Sequence, residues 1–247
     1  MRHIEDLADA AFSRGIARYS AFLSDREQDL ARAALGRAGV RDGWRLDGGW
    51  PEAERRVLCL EPEYSYGECP VRCVQLQCRA LPGAVLPAHK DYLGSLMGLA
   101  LKREALGDIL LPADAPGTAY VFALEPAAKL ICRELCQAGR TEVSTRLLEP
   151  EEIPAFPAPE RQLLTATVSS LRLDSVLAVG FSLSRGKAAE AVTSGRVQVN
   201  WTDCQKPDRP VSQGDTLTLR GLGKCVLEEV GHQTKKGRVF VTLKRYL

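Results

Sequence analysis

The spacing of apolar residues in the last third of the chain changes from helical to alternating. Apolar positions from Leu173 to Gly180 recur at helical intervals, which predicts a short helix. A second helix is predicted between Ser184, a favoured N-cap residue, and Gly195, a favoured residue just past a helix end. Apolar and polar residues then alternate, as in half-buried strands, at residues 196–200, 216–220 and 239–243.

The first third of the chain has mixed signals. Helical spacing covers residues 1 to about 40, and Ser24 with Glu27 forms a capping box at the start of the second helix there. Val57 to Leu60 is an uninterrupted apolar run of strand length. This part of the chain is therefore predicted to be a small α+β module.

The middle of the chain carries six elements in the order strand, helix, strand, strand, helix, strand. The strands are predicted near residues 72–80, 106–111, 118–124 and 142–148. The first helix runs from about Asp91 to Leu101, and the second lies between Pro126 and Gly139. The order βαββαβ is that of a ferredoxin-like domain.

Two cations occupy an unfavourable position at the start of the second C-terminal helix. Arg185 and Lys187 lie in its first turn, where the positive end of the helix dipole opposes them by a few tenths to about 1 kcal/mol each. Free backbone N–H groups with added cations suit phosphate binding. Ser184, Arg185 and Lys187 are therefore interpreted as an anion-binding corner.

The order and spacing of residues from Arg172 to Lys224 also resemble a known family. This stretch is similar to the RNA-binding domain named for the fourth protein of the small ribosomal subunit, called the S-four domain below. Trp201 departs from the broad family, which prefers Gly after the Asn, but this departure is familiar from the bacterial YlmH branch. The matching positions are Arg172-Leu173-Asp174, Leu177, Ser184-Arg185, Ala188, Gly195, Val197, Val199-Asn200, Lys206-Pro207, Val211, Gly214-Asp215, Arg220-Gly221 and Gly223-Lys224.

Two earlier regions also resemble the YlmH family. The first comprises Phe22-Leu23-Ser24, Arg26-Glu27 and residues 48–55; the second comprises residues 89–94, Lys102-Arg103-Glu104 and Gly107-Asp108-Ile109. The residue patterns and the resemblance together predict an α+β protein with four parts. These are an α+β module (1–70), a ferredoxin-like RNA-binding domain (71–149), a proline-rich, extended linker (150–164) and an S-four domain of two helices and a small antiparallel sheet (165–247).

Two interpretations remain open for the aromatic pair Tyr120 and Phe122. They lie two residues apart on a central strand of the ferredoxin-like domain and could stack bases, as in an RRM. The alternative, favoured because the full aromatic-glycine signature is missing, is that they pack under the helices. His89 is given no catalytic role.

Charge is distributed unevenly along the 247 residues. Residues 165–247 hold 13 Lys and Arg against 7 Asp and Glu, net +6, whereas residues 1–164 hold 20 against 24, net −4. The basic end is where a polyanion would bind. The expected RNA contacts are Arg172, Ser184, Arg185, Lys187, Lys206, Arg220 and Lys224, with Lys90, Lys102 and Arg103 from the middle domain.

The eight cysteines contain no CxxC pair, the spacing typical of structural zinc sites. We therefore predict free thiols, no metal and no cofactor, with a metal site at Cys59, Cys69, Cys73 and Cys78 as the alternative. The first ten residues are charged and amphipathic, and no apolar run approaches the length of a membrane span. A cytoplasmic protein that does not bind membranes is expected.

The family resemblance implies a non-enzymatic factor that binds structured RNA, either rRNA or tRNA. It implies association with the large ribosomal subunit carrying peptidyl-tRNA, in rescue and quality control of stalled translation. The alternatives are an RNA-modifying or tRNA-charging enzyme and a protein-interaction scaffold. The enzyme is disfavoured because His89-Lys90-Asp91 is not a synthetase nucleotide motif, Gly48-Gly49 does not open a helix as in a methyltransferase, and no catalytic domain follows the S-four domain as in pseudouridine synthases.

Overall fold

The computed structural model describes residues 2–79, 85–158, 161–234 and 237–246. The chain divides into two compact units, Met1–Pro157 and Ala158–Leu247. The further division of the first unit into domains meeting near residue 70 stays a prediction.

The first unit begins with two helices packed on a three-stranded antiparallel sheet. The helices are α1 (Arg2–Phe12) and α2 (Asp25–Arg37), and the strands are β1 (Arg18–Leu23), β2 (Trp44–Asp47) and β3 (Arg56–Leu60), in the sheet order β1-β3-β2. The Glu27 carboxylate accepts hydrogen bonds from the backbone N–H and the hydroxyl of Ser24, both at 2.7 Å, so the predicted capping interaction is present. The two predicted helices are present, but the prediction that residues 1 to about 40 are helical missed β1 between them, which pairs with β3 and buries Ser20 and Phe22.

The predicted ferredoxin-like arrangement is confirmed in the rest of this unit. Its elements are β4 (Val71–Cys78), α3 (His89–Gly98), β5 (Leu106–Leu110), β6 (Thr118–Leu124), α4 (Glu125–Glu134), β7 (Gln137–Ala138) and β8 (Thr141–Leu148). The strands pair antiparallel in the order β5-β6-β4-β8-β7. Helix α4 ends at Glu134, short of the predicted end at Gly139, because residues 137–138 form β7 and Gly139, with φ of 59°, lies in the turn of the β7–β8 hairpin.

Tyr120 and Phe122 lie on the face of this sheet that does not carry the helices. Alternate residues of β4 and β6, such as Val74 and Val121, pack against α3 and α4. Tyr120 and Phe122 instead pack against Phe22 and Val57 from the first sheet and are 8% and 0% exposed. Neither sequence interpretation is correct, since the pair is too buried to stack bases and is covered by a sheet rather than by helices.

The predicted linker at 150–164 is also partly wrong. A short 3-10 helix spans Pro150–Glu152, and Phe156 makes edge contacts with the rings of Trp50, Tyr120 and Phe122 at centroid distances of 5.1–6.1 Å. Strand β9 (Arg161–Val168) then begins inside the predicted linker. Apolar contacts therefore anchor the proline-rich segment in the first unit, and backbone pairing incorporates its end into the second.

The second unit packs two helices on one face of a six-stranded antiparallel sheet. It contains α5 (Leu173–Gly180) and α6 (Arg185–Thr193), followed by β10 (Val197–Val199), β11 (Thr202–Asp203), β12 (Thr216–Leu219), β13 (Gly223–Gln233) and β14 (Val239–Tyr246). The sheet order is β11-β10-β12-β13-β14-β9. Inward residues of both helices and five of the strands form one core, with Leu173, Leu177, Val197, Leu217 and Leu243 fully buried.

Candidate nucleic-acid interface

The two helices of the second unit differ in what covers their N-termini. The first backbone N–H groups of α5 are already bonded, because Leu173 donates to the carbonyl of Arg209 and Asp174 to that of Pro207, both at 2.9 Å. The loop at 206–210 thus caps α5. An anion could approach the N-terminus of α6 but not that of α5.

Asp174 holds two arginines beside this corner. Its side chain is only 6% exposed and accepts from Nε of Arg185 at 3.0 Å and from Nε and Nη2 of Arg172 at 3.3 and 3.4 Å. Burial by itself would raise the pKa of the Asp174 carboxyl, but the hydrogen bonds and charges of Arg185 and Arg172 outweigh it and the pKa lies below its ordinary value. The carboxylate stays ionised and fixes both guanidinium groups.

The start of α6 has the features expected of an anion-binding corner. Ser184 is the N-cap, and its hydroxyl oxygen accepts from the backbone N–H of Lys187 at 3.3 Å. Ser184, Arg185 and Lys187 are all exposed, and no acidic residue lies in the first turn. Among the residues that the structure describes, the Arg185 side chain bonds only to Asp174, through Nε, so its terminal amino groups can bind another ligand. The geometry suits a phosphate oxygen.

The other predicted contacts of this unit, Lys206, Arg220 and Lys224, lie in three separate places. Lys206 is exposed in the loop that caps α5. The backbone N–H of Arg220 donates to the carbonyl of Arg196 at 2.9 Å, so these two exposed arginines are neighbours at the ends of β10 and β12. Arg196 was missed by the sequence analysis, although the β10–β12 pairing places it opposite Arg220.

Lys224 is only half-buried and lies over an aromatic ring. Its Nζ is 4.8 Å from the ring centroid of Tyr246, and Cζ of Arg161 is 5.5 Å from the same centroid. Cation–π contacts of this kind orient a cation without neutralising it. Lys224 stays a predicted contact, and Arg161 joins it as a residue that the sequence analysis assigned to the linker.

The three predicted contacts in the first unit are not equivalent. Lys90, in the first turn of α3, and Lys102 are exposed. Arg103 is half-buried, and its Nη1 donates to the carbonyls of Leu106 and Gly107 at 2.7 and 3.2 Å. Burial, and then the charge of Arg55, lower the pKa of Arg103. These bonds favour a structural role for Arg103 over the RNA contact expected from sequence.

The residues around Arg103 explain why this part of the sequence matches a family pattern. Arg55 donates to the carbonyls of Phe22 and Leu106, both at 3.0 Å. The half-buried carboxylate of Asp108 accepts from the backbone N–H groups of Glu54 and Arg55 and from Nε1 of Trp50 at 2.8–3.1 Å. These bonds connect the two sheets of the first unit, so the matching residues there stabilise the fold.

The turn containing Trp201 explains the family preference for glycine. Asn200 and Trp201 connect β10 to β11 with φ of 49° and 60°, in the left-handed region that glycine adopts most easily. The Asn200 side chain donates to Asp215 at 2.7 Å and accepts from the backbone N–H of Thr216 at 2.8 Å. These bonds hold the turn with a bulky residue in the glycine position.

Comparison with known proteins adds family matches to this geometry. The S4 domain family matches residues 171–217, and a family named for an RNA-binding domain in YlmH matches residues 85–152. A Bacillus subtilis (strain 168) protein named "Ribosome-associated protein quality control protein P2" is 35% identical over 225 residues, which cover 91% of this chain and 85% of that protein. The solved structure "Cell division protein ylmH from Streptococcus pneumoniae" has a TM-score of 0.48 and 17% identity, covering 62% of this chain and 92% of that one.

Within the described ranges, no helix has both the length and the apolar character needed to cross a membrane.

Proposed function

The chain belongs to the YlmH family, and from that membership together with the geometry of α6 we propose that it is a non-enzymatic RNA-binding factor of the ribosome. Its partner is the large subunit carrying peptidyl-tRNA, and its role is in rescue and quality control of stalled translation in the cytoplasm. The Bacillus subtilis relative is named for ribosome-associated quality control, which supports this assignment.

The observation that carries the proposal is the pair of arginines held by Asp174 beside the start of α6. Arg172 and Arg185 are 41% and 54% exposed, while the carboxylate that orients them is almost fully buried. Fixed guanidinium groups beside a helix N-terminus recognise phosphate oxygens without reading base edges. Such a site suits the shape and backbone of a folded RNA.

The direct test is co-sedimentation with separated ribosomal subunits and with large subunits carrying peptidyl-tRNA. Wild type is expected to sediment with the peptidyl-tRNA-bearing large subunit, and Arg185→Glu, Lys187→Glu to remain in the supernatant. The matched control is Lys129→Glu, Arg133→Glu on α4, which makes the same charge change at exposed positions and should still sediment.

Three results would count against the proposal. Failure of the wild type to sediment at low and moderate salt would remove the ribosome as the partner. Equal loss in the control and corner variants would show that net charge, and not the anion-binding corner, governs association. A chemical change in an incubated rRNA or tRNA, detected by mass spectrometry, would favour the RNA-modifying enzyme.

A further inference from the structure

Two thiols and a carboxylate converge at the edge of the first sheet. Pairing of β2 with β3 places Arg45 opposite Cys59 and Asp47 opposite Val57, so the side chains of Arg45, Asp47 and Cys59 share one face. Cys69, in the segment before β4, reaches the same place from outside the sheet. The Sγ atoms of Cys59 and Cys69 are 3.6 Å apart.

The three donor groups are close enough to share an ion. An Asp47 carboxylate oxygen and the two sulfur atoms lie within 4.8 Å of one another. Cys59 is fully buried, whereas the Asp47 side chain is 29% exposed and leaves a route from solvent. The four-cysteine alternative of the sequence analysis is wrong in its membership, since the Cys78 sulfur lies 3.0 Å from the Tyr92 hydroxyl and Cys73 is outside the group.

We propose that Asp47, Cys59 and Cys69 bind a thiophilic divalent cation, best matched by Zn²⁺, with water as the fourth ligand. Tetrahedral zinc with Zn–S bonds of about 2.3 Å separates two sulfur ligands by about 3.8 Å. The observed 3.6 Å is close to that spacing and far from the roughly 2.05 Å of a disulfide. Thiolate and carboxylate together form a donor set that zinc accepts.

The surrounding charges favour a bound cation. Arg45 makes ion pairs with Asp47 and with Glu61, the latter at 3.0 Å. Once both thiols ionise, two thiolates and two carboxylates face one guanidinium group, and a divalent cation offsets the excess negative charge. The backbone N–H of Gly49 donates to Oδ1 of Asp47 at 2.8 Å and holds the carboxylate in place, as outer partners of metal ligands do.

The site has a structural consequence within the first unit. Cys59 belongs to the first sheet, and Cys69 precedes β4 of the ferredoxin-like sheet. A shared ion would therefore join the two sheets at the connecting segment. The loop between them carries Tyr64 and Tyr66, which are 87% and 97% exposed, so the ion would also anchor the end of a loop with two exposed aromatic side chains.

The test is titration of the reduced full-length protein with Co²⁺, followed by absorbance and by displacement with Zn²⁺. Wild type is expected to bind one Co²⁺ with thiolate-to-cobalt charge-transfer and tetrahedral d–d bands, which Zn²⁺ abolishes. Cys59→Ala and Cys69→Ser should lose these bands, and Asp47→Asn should weaken binding by more than about tenfold. Cys73→Ala is the matched control, because Cys73 is buried in the same hydrophobic cluster as Cys59 but outside the donor group.

Absence of the charge-transfer bands in reduced wild type would overturn the proposal. Retention of the bands in both Cys59→Ala and Cys69→Ser, or their loss in Cys73→Ala, would overturn it equally. If a variant does not fold, alkylation of the wild-type protein with and without Zn²⁺ still tests the site. Zn²⁺ should protect Cys69 from alkylation while exposed Cys136 still reacts, and unprotected Cys69 would contradict the site.

Discussion

The carboxylate of Asp174 links two cations that the sequence pattern only suggested separately. The sequence analysis identified Arg172 and Arg185 as contacts and assigned Asp174 to a family motif. The structure shows that Asp174 lies between them, within 3.0–3.4 Å of both guanidinium groups. The sequence pattern did not show that Asp174, in the first turn of α5, is buried. A buried carboxylate requires charged or hydrogen-bonding partners, so its burial would have indicated that the two arginines lie beside it.

We predict that Asp174→Asn lowers the free energy of unfolding by about 1–2 kcal/mol. Charged hydrogen bonds are lost, and the half-exposed arginines keep the loss in the lower part of the usual range. The pKa of Asp174 is lowered in the folded protein. Its stabilisation is therefore present above the pKa of the unfolded chain and is lost as the pH falls through the folded-state pKa.

Urea denaturation at neutral and acidic pH measures both effects. Wild type should lose more stability on acidification than Asp174→Asn does. The control is Asp208→Asn, which removes an exposed carboxylate from the neighbouring loop and should follow the wild-type pH dependence. An identical pH dependence in wild type and Asp174→Asn would show that the ion pairs contribute nothing to folding.

At the scale of elements, strict alternation was predictable and interrupted alternation was not. Strands β10, β12 and β14 have clear period-two patterns, and Ser184 and Gly195 correctly bracketed α6. Strand β13 was missed because its register shifts between Leu227 and Glu229, so two neighbouring polar residues break the pattern. Strand β9 was missed because it directly follows the proline-rich run and its outward Leu163 is 64% exposed.

The pairing of β9 predicts where the second unit can be cut. Eight residues of β9 pair with β14, and Leu164 and Val168 pack against its core. A fragment of residues 158–247 is expected to unfold cooperatively, as a complete unit would. A fragment of residues 169–247 lacks an edge strand and part of the core and should not show a cooperative transition.

Thermal unfolding followed by circular dichroism distinguishes the two fragments. A third fragment, residues 165–247, begins at the boundary expected from sequence and cuts β9 in its middle. Its transition should fall below that of the longest fragment. Equal midpoints for all three fragments would show that β9 is dispensable and that the boundary expected from sequence is the better one.

At the scale of the whole molecule, net charge and the family match predicted a set of RNA contacts that the structure does not support equally. The basic C-terminal third, net +6, contains the anion-binding corner and the neighbouring Arg196 and Arg220. In the first unit, Lys90 and Lys102 are exposed, whereas Arg103 donates to backbone carbonyls. A family match could not separate these roles, because residues that stabilise a fold recur in a family pattern as reliably as residues that touch RNA.

Salt dependence separates the two roles by a measurement on the intact protein. Each phosphate contact releases a counterion, so the logarithm of the affinity falls with the logarithm of the salt concentration by about 0.9 per contact on duplex DNA and about 0.7 on single strands. Lys187→Gln, and likewise Lys90→Gln and Lys102→Gln, should each reduce this slope by somewhat less than one when large ribosomal subunits are titrated. Arg103→Gln should leave the slope unchanged and lower the midpoint of thermal unfolding, because its partners are carbonyls within its own fold. An unchanged slope for Lys90→Gln and Lys102→Gln would confine RNA binding to the second unit, and a reduced slope for Arg103→Gln would return that residue to the interface.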